Sequence, residues 1–312
     1  MFPDPQFVNT NGIRMAVYEQ GEGQPIIFLH GFPELAFSWR FQLPALAEAG
    51  FRAIAPDQRG YGQTDVPPDV SDYRIQELIG DVNGLLDALE LEHAIFVGHD
   101  WGALVLWHMC LLCPERIDKQ AILNIPFWPR PPSDPIALAR ARYGDDFYIV
   151  NFQDSDEADR AFAADAGHFF DMLMRKNQGS RAEFERLPAA KKVLSLLATI
   201  ARSESSGQPL LDAAEHDYYV SAFEANGFTG PINWYRNWSQ NWQSLDGVPQ
   251  VVNVPTLFIG ADNDVLISAE HIDGMKPFVP SLEIHMLESC GHWTQQEKPD
   301  EVNRILIDWL MP

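Results

Sequence analysis

Short apolar runs alternate with helical patterns along this chain, and the alternation is interrupted once. PIIFLHG (25–31), FRAIAPD (51–57), HAIFVGHD (93–100) and QAILNIPF (120–127) are brief and lack helical periodicity, which predicts buried strands. Between them, FQLPALAEAG predicts a helix closed by Gly50. Residues 73–90 set Ile75, Leu78, Ile79, Val82, Leu85, Leu86 and Leu89 at helical spacing, and WGALVLWHMCLL predicts a further helix. Strands joined through helices pair in parallel, because the crossover returns the chain to the same end of the sheet. At the N-terminus, FVNTNGIRMAVYEQG predicts a hairpin turning at Asn11-Gly12.

At Phe127 the alternation stops. FWPRPPSDP opens a stretch, reaching residue 246, of aromatic-rich helical patterns without a clear strand. Core-type alternation resumes at VPTLFIGADND (254–264), followed by a helix, the strand LEIHMLESCG and a closing helix near 300–310. The expected organisation is an α/β core from residues 1–126 and 247–312, with helices on both faces of a mostly parallel sheet. Residues 127–246 would form an all-helical cap over the strands' C-terminal ends. At 312 residues and 46% hydrophobic content the chain is large enough for one such core. Within the cap, Trp234, Trp238 and Trp242 recur every four residues, predicting a packing stripe with Tyr235 one step off it.

The stretch FVGHDWGA (96–103) has the spacing of a Gly-x-Ser-x-Gly strand-to-helix elbow, but its central residue is Asp100. Gly98 and Gly102 leave room for a strained turn that points residue 100 away from the sheet, and the Trp101 N–H becomes an oxyanion donor. A plainer reading has Asp100 cap the helix beginning at Trp101. Three further loops bear on the choice. His30-Gly31-Phe32-Pro33-Glu34 follows a strand directly and is expected to supply a second oxyanion donor, the Phe32 N–H; an ordinary strand-ending turn is the alternative. His292, in SCGHWT after a late strand, is placed to act as a general base. GADND offers Asp262 and Asp264 to orient that histidine, and Asp264, deeper in the loop, is favoured. Nucleophile, acid and base come in the chain order of an α/β-hydrolase. A carboxylate nucleophile suits displacement at an sp³ carbon, giving an ester that His292-activated water would hydrolyse.

Six segments in order resemble the soluble α/β-hydrolase-fold epoxide hydrolases: HGFPE (30–34), SWRFQ (38–42), DQRGYGQTDVP (57–67), VGHDWGA (97–103), GFTGPINWYRNW (227–238) and CGHWTQQEKP (290–299). The resemblance runs over most of the chain and implies an eight-stranded sheet with a helical cap. It also implies two cap tyrosines that donate hydrogen bonds to the epoxide oxygen. Tyr235 in NWYRN matches one; Tyr148, five residues before Gln153, matches the other, with Tyr143, Tyr218 and Tyr219 as rivals. The alternative activity is that of a haloalkane or haloacid dehalogenase, which shares the aspartate elbow but favours indole or amide donors for halide.

Charge and cysteine usage bound the partners. Lysine and arginine total 22 against 44 aspartates and glutamates, a formal net charge of −22, which disfavours nucleic acid and anionic membranes. No secretory signal and no transmembrane run is visible, and three cysteines fit a reducing cytoplasm. Cys110 and Cys113 lie in an apolar helical segment and are read as packing residues. The chemistry calls for no cofactor and no metal. The expected partner is a small apolar epoxide in a pocket lined by cap aromatics, Met172 and Met174, and a homodimer is compatible with the sequence.

Overall fold

A computed structural model of the chain describes residues 2–176, 179, 181–187, 192–266 and 268–311. Its strands are β1 (Gln6–Thr10), β2 (Ile13–Gln20), β3 (Gln24–Leu29), β4 (Phe51–Pro56), β5 (Ala94–His99), β6 (Ile117–Leu123), β7 (Arg175–Lys176), β8 (Gln208–Pro209), β9 (Thr256–Ala261) and β10 (Leu282–Leu287). Eight of them form one sheet in the order β1-β2-β4-β3-β5-β6-β9-β10. β2 runs antiparallel to β1 and β4, and every other pair in this sheet is parallel. The first hairpin turns at Asn11 and Gly12, whose φ angles of 41° and 79° suit a tight two-residue turn.

The central strands are mainly apolar because both faces are covered. Ile27, Leu29, Ile54 and Phe96 face the side of helices Ile75–Ala88 and Trp101–Leu112. Their neighbours Ile26, Phe28, Ala53 and Val97 face Gln42–Glu48 and Pro299–Leu310. The first of these clusters continues past the ends of the strands into the rings of Phe152, Phe169 and Tyr235. Sheet packing therefore runs on without a break into the helices that lie between β6 and β9 in the chain.

β6 runs from Ile117 to Leu123 rather than from Gln120 to Phe127, because the chain turns out of the sheet at Asn124 (φ 69°). Among the described residues from there to β9 the regular structure is helical except for one antiparallel ribbon, β7 with β8, which departs from the expected all-helical insertion. After helix Ala166–Leu173 the backbone needs new partners. The returning chain supplies them, with the Leu210 N–H donating to Met174 O at 3.0 Å. The expected tryptophan stripe also breaks. Helix Thr229–Arg236 ends at Asn237, whose side chain donates to Val70 O (2.6 Å) and Asn233 O (2.9 Å), and Trp238–Ser244 starts afresh. Trp234 then turns into the core, its Nε1 donating to Arg59 O at 3.0 Å, whereas Trp242 donates to Pro131 O at 2.8 Å.

Polar contacts fasten the segment between β6 and β9 to the rest of the chain. Arg40 pairs with Glu215 at 2.6 Å and donates to Gln296 Oε1 at 2.7 Å. The N–H of Ile75, first residue of its helix, donates to Asn241 Oδ1 at 2.9 Å; Arg74, at the N-cap position, makes no side-chain capping bond. Among the described residues no helix is long and apolar enough to cross a membrane.

Candidate active site

β5 ends at His99 and the next helix begins at Trp101, leaving Asp100 alone in the turn with φ 50° and ψ −116°. Such a backbone costs on the order of 1–3 kcal/mol and persists only where its surroundings enforce it. Here they do. A Cβ on Gly98 would lie 2.8 Å from the Gly102 carbonyl, and one on Gly102 would run into Leu29 O. Asp100 occupies the N-cap position yet makes no side-chain capping bond. Its Oδ1 instead accepts the Phe32 N–H at 2.9 Å, in a loop where the Phe32-Pro33 peptide is cis. Gly31 is necessary there because a Cβ would collide with the Asp100 side chain. The Trp101 N–H, first of its helix, has no intrahelical acceptor.

His292 lies on the loop after β10, its Nε2 3.7 Å from Asp100 Oδ2 and its Nδ1 2.8 Å from Asp264 Oδ2. Asp264 is buried and also accepts from Asn124 Nδ2 (2.7 Å) and Leu266 N–H (2.8 Å). Asp262 faces elsewhere: its Oδ1 accepts the Cys290 N–H at 3.2 Å, tying down the loop that carries His292. Burial opposes charge on His292, but Asp264, by its field and hydrogen bond, then Asp100 and Glu34, push the imidazole up to about 9. Burial likewise opposes charge on Asp264, and His292 with the surrounding donors holds its carboxyl below the ordinary range.

Tyr148 opens helix Tyr148–Asp154, and Tyr235 lies near the end of Thr229–Arg236. Gln153 ties the two helices together, its Nε2 donating to Ile149 O (2.9 Å) and Tyr235 O (2.8 Å). The two phenol rings meet at 5.7 Å and 72°. Burial and then the Asp100 charge push Tyr148 up; burial, Tyr148 and Asp100 do the same to Tyr235. Both phenols therefore stay protonated within the field of the Asp100 carboxylate. Among the rivals, Tyr143 is exposed, Tyr218 stacks on Phe37 at 4.3 Å, and Tyr219 packs against Phe37 and Phe170.

A second layer was not singled out from the sequence. Glu34 is fully buried and accepts from the Gly31 N–H (3.0 Å), His99 Nδ1 (2.6 Å), Gln295 Nε2 (2.8 Å) and Gln296 Nε2 (2.8 Å). Burial alone would raise the Glu34 carboxyl, but His99 and the Gly31 N–H bring it below its ordinary range. The other nitrogen of His99 faces the His292 carbonyl at 2.8 Å. Both His99 nitrogens thus lie within hydrogen-bond distance of oxygens, and the ring bridges the loop of Phe32 to the loop of His292. His30 accepts the Gln58 N–H at 3.0 Å, consistent with a structural loop residue. The signal for Glu34 lay in HGFPE and that for its donors in WTQQE, but only folding brings the two segments together.

A cavity of about 660 Å³ is lined in part by His292 and Asp264. Its wall mixes Met172 and Leu194 with Arg175, Thr199 and Arg202, so it is more polar than the expected pocket. Met174 is buried in the core cluster instead. The apolar surroundings are those of Tyr235, in ring contact with Phe32, Trp101 and Phe152.

Residues 24–299 match the α/β-hydrolase fold family. The chain is 39% identical to epoxide hydrolase A of Mycobacterium tuberculosis over 99% of this chain and 97% of that protein. It belongs to the α/β-hydrolase-fold epoxide hydrolases. A solved epoxide hydrolase A from Mycobacterium thermoresistibile superimposes with a TM-score of 0.88 at 36% identity, covering 99% of this chain and 98% of that one. An epoxide hydrolase from Vigna radiata gives 0.86 at 36% identity over 98% and 97%. Against the bifunctional epoxide hydrolase 2 of pig the hydrolase is 36% identical over 96% of its own length, and it spans 53% of that relative. Its eight-stranded, mostly parallel sheet is the fold expected of the family.

Proposed function

We propose that this hydrolase converts an epoxide and water to a vicinal diol through an alkyl ester on Asp100. What supports the reading is a pair of touching phenol rings from separate helices, both kept protonated within the field of a carboxylate held in a strained turn. Asp100 Oδ1 sits on the Phe32 N–H, leaving Oδ2 to attack a ring carbon. As the C–O bond breaks, Tyr148 and Tyr235 donate to the departing oxygen, which would otherwise leave as a poorly stabilised alkoxide.

The ester carbonyl oxygen then already occupies the position where oxyanion charge develops, against the Phe32 and Trp101 N–H groups. Ester formation removes the negative charge of Asp100, one of the groups that hold the His292 proton. The imidazole becomes a competent base only once there is an ester to hydrolyse. It takes a proton from water, the hydroxide attacks the Asp100 carbonyl carbon, and collapse releases the diol. The proton of the added hydroxyl passes to the departing product oxygen, which restores the Asp100 carboxylate, and the proton that His292 took from water returns to the tyrosine that donated in ring opening.

A dehalogenase is disfavoured, because phenols suit an oxygen leaving group and the relatives above are named epoxide hydrolases. We assign residues 127–246 as the cap and residues 1–126 and 247–312 as the core. The free thiols of Cys110, Cys113 and Cys290 support a reducing compartment such as the cytoplasm. One turnover in heavy-oxygen water tests the covalent route. Label is expected in the Asp100 carboxylate; label in the diol would mean direct attack by water.

A further inference from the structure

Trp101 carries a group that the two chemical steps leave unused. Its side chain is 3% exposed, and its indole Nε1–H has no hydrogen-bond acceptor among the described residues. A buried donor left without an acceptor is costly and calls for a reason. The ring stands edge-to-face with Tyr235, centroids 5.1 Å apart and planes at 86°, between Trp234 (5.5 Å) and Trp238 (5.1 Å). Burial, Tyr148, Asp100 and Tyr61 all oppose negative charge on the Tyr235 oxygen, and the Trp101 indole acts in the opposite sense. The N–H thus stands close enough to act on the Tyr235 oxygen as a donor, but outside the geometry of a full hydrogen bond in the resting site.

We propose that Trp101 is a positioning residue for ring opening, its indole N–H donating to the Tyr235 oxygen while that hydroxyl gives its proton to the epoxide oxygen. A phenol oxygen that has committed its own proton still has lone pairs to receive a donor. Negative charge accumulates on it as the C–O bond breaks, so the indole bond strengthens toward the transition state. Only such differential bonds accelerate a step. Trp101 would then serve ring opening through its side chain and ester hydrolysis through its backbone N–H. The role rests on the assignment of Tyr235 as an acid.

The rate of ester formation, followed by rapid-quench mass spectrometry with styrene oxide, tests it. Two replacements at position 101 are compared: Trp101→Phe and the benzothienyl analogue of tryptophan, which keeps the bicyclic shape and exchanges N–H for sulfur. Each is made in the otherwise unchanged protein, in Tyr235→Phe and in Tyr148→Phe. Loss of the N–H is expected to slow ester formation about tenfold in the unchanged and Tyr148→Phe proteins. In Tyr235→Phe it should have no further effect, which a merely structural role would not reproduce. If Tyr235→Phe is slow and the analogue slows it again, Trp101 does not act through Tyr235. If Tyr235→Phe alone opens epoxides at the normal rate, the acid assignment falls and this role falls with it.

Discussion

Asp100 is held by sterics rather than by its own preferences. Two glycines and a backbone donor force an aspartate out of the N-cap role it would otherwise take, leaving one oxygen bonded to Phe32 and the other facing His292. Ester formation needs no base, but ester hydrolysis does. His292→Gln should therefore accumulate an alkyl-enzyme, seen as a stoichiometric mass increase on mixing with substrate; an enzyme that stays unmodified would break this division of labour. The pH dependence has a definite sign. Hydrolysis of the preformed ester should accelerate as His292 loses its proton, with a midpoint below the resting value of about 9, because the ester has lost the Asp100 charge. Single-turnover decay measured from pH 5 to 10 checks this, and a midpoint at or above the resting value would contradict the coupling.

Helices and strands place those residues through their ends. β5 and its helix fix Asp100, the loops after β9 and β10 bring Asp264 to His292, and two short cap helices locked by Gln153 set the tyrosines. The seam depends on a similar exchange between elements. Asn241, from the cap, takes the first N–H of a core helix whose own N-cap residue makes no side-chain capping bond. Asn241→Ala should cost about 1 kcal/mol, as the loss of a helix cap does, measurable as a lower denaturation midpoint in urea. Periodicity in the sequence located these elements well. It misread the tryptophan stripe because a four-residue repeat continues across Asn237 although the helix does not. It also passed over the β7–β8 ribbon, whose two-residue strands carry too few side chains for any period.

Across the whole molecule, acidic residues outnumber basic ones two to one, and many cannot find a cationic partner. Self-repulsion of a net charge of −22 should make stability salt-dependent. Raising sodium chloride from about 10 to about 150 mM shortens the screening length to about 8 Å and should raise the melting temperature. Scanning calorimetry at fixed pH measures it; a flat response would mean that local ion pairs such as Arg40–Glu215 and Arg59–Asp81 already balance the field. At this scale the division between sequence and structure is clear. The sequence by itself determined the elbow, the chain order of Asp100, Asp264 and His292, and the interrupted sheet, because glycine spacing and hydrophobic period are local properties of the chain. The tertiary structure decided which oxygen of Asp100 is free, which aspartate reaches His292, and that Glu34 and His99 join the two loops. Those outcomes depend on hydrogen bonds between segments up to 262 residues apart, as from Glu34 to Gln296, and no local pattern encodes such distances.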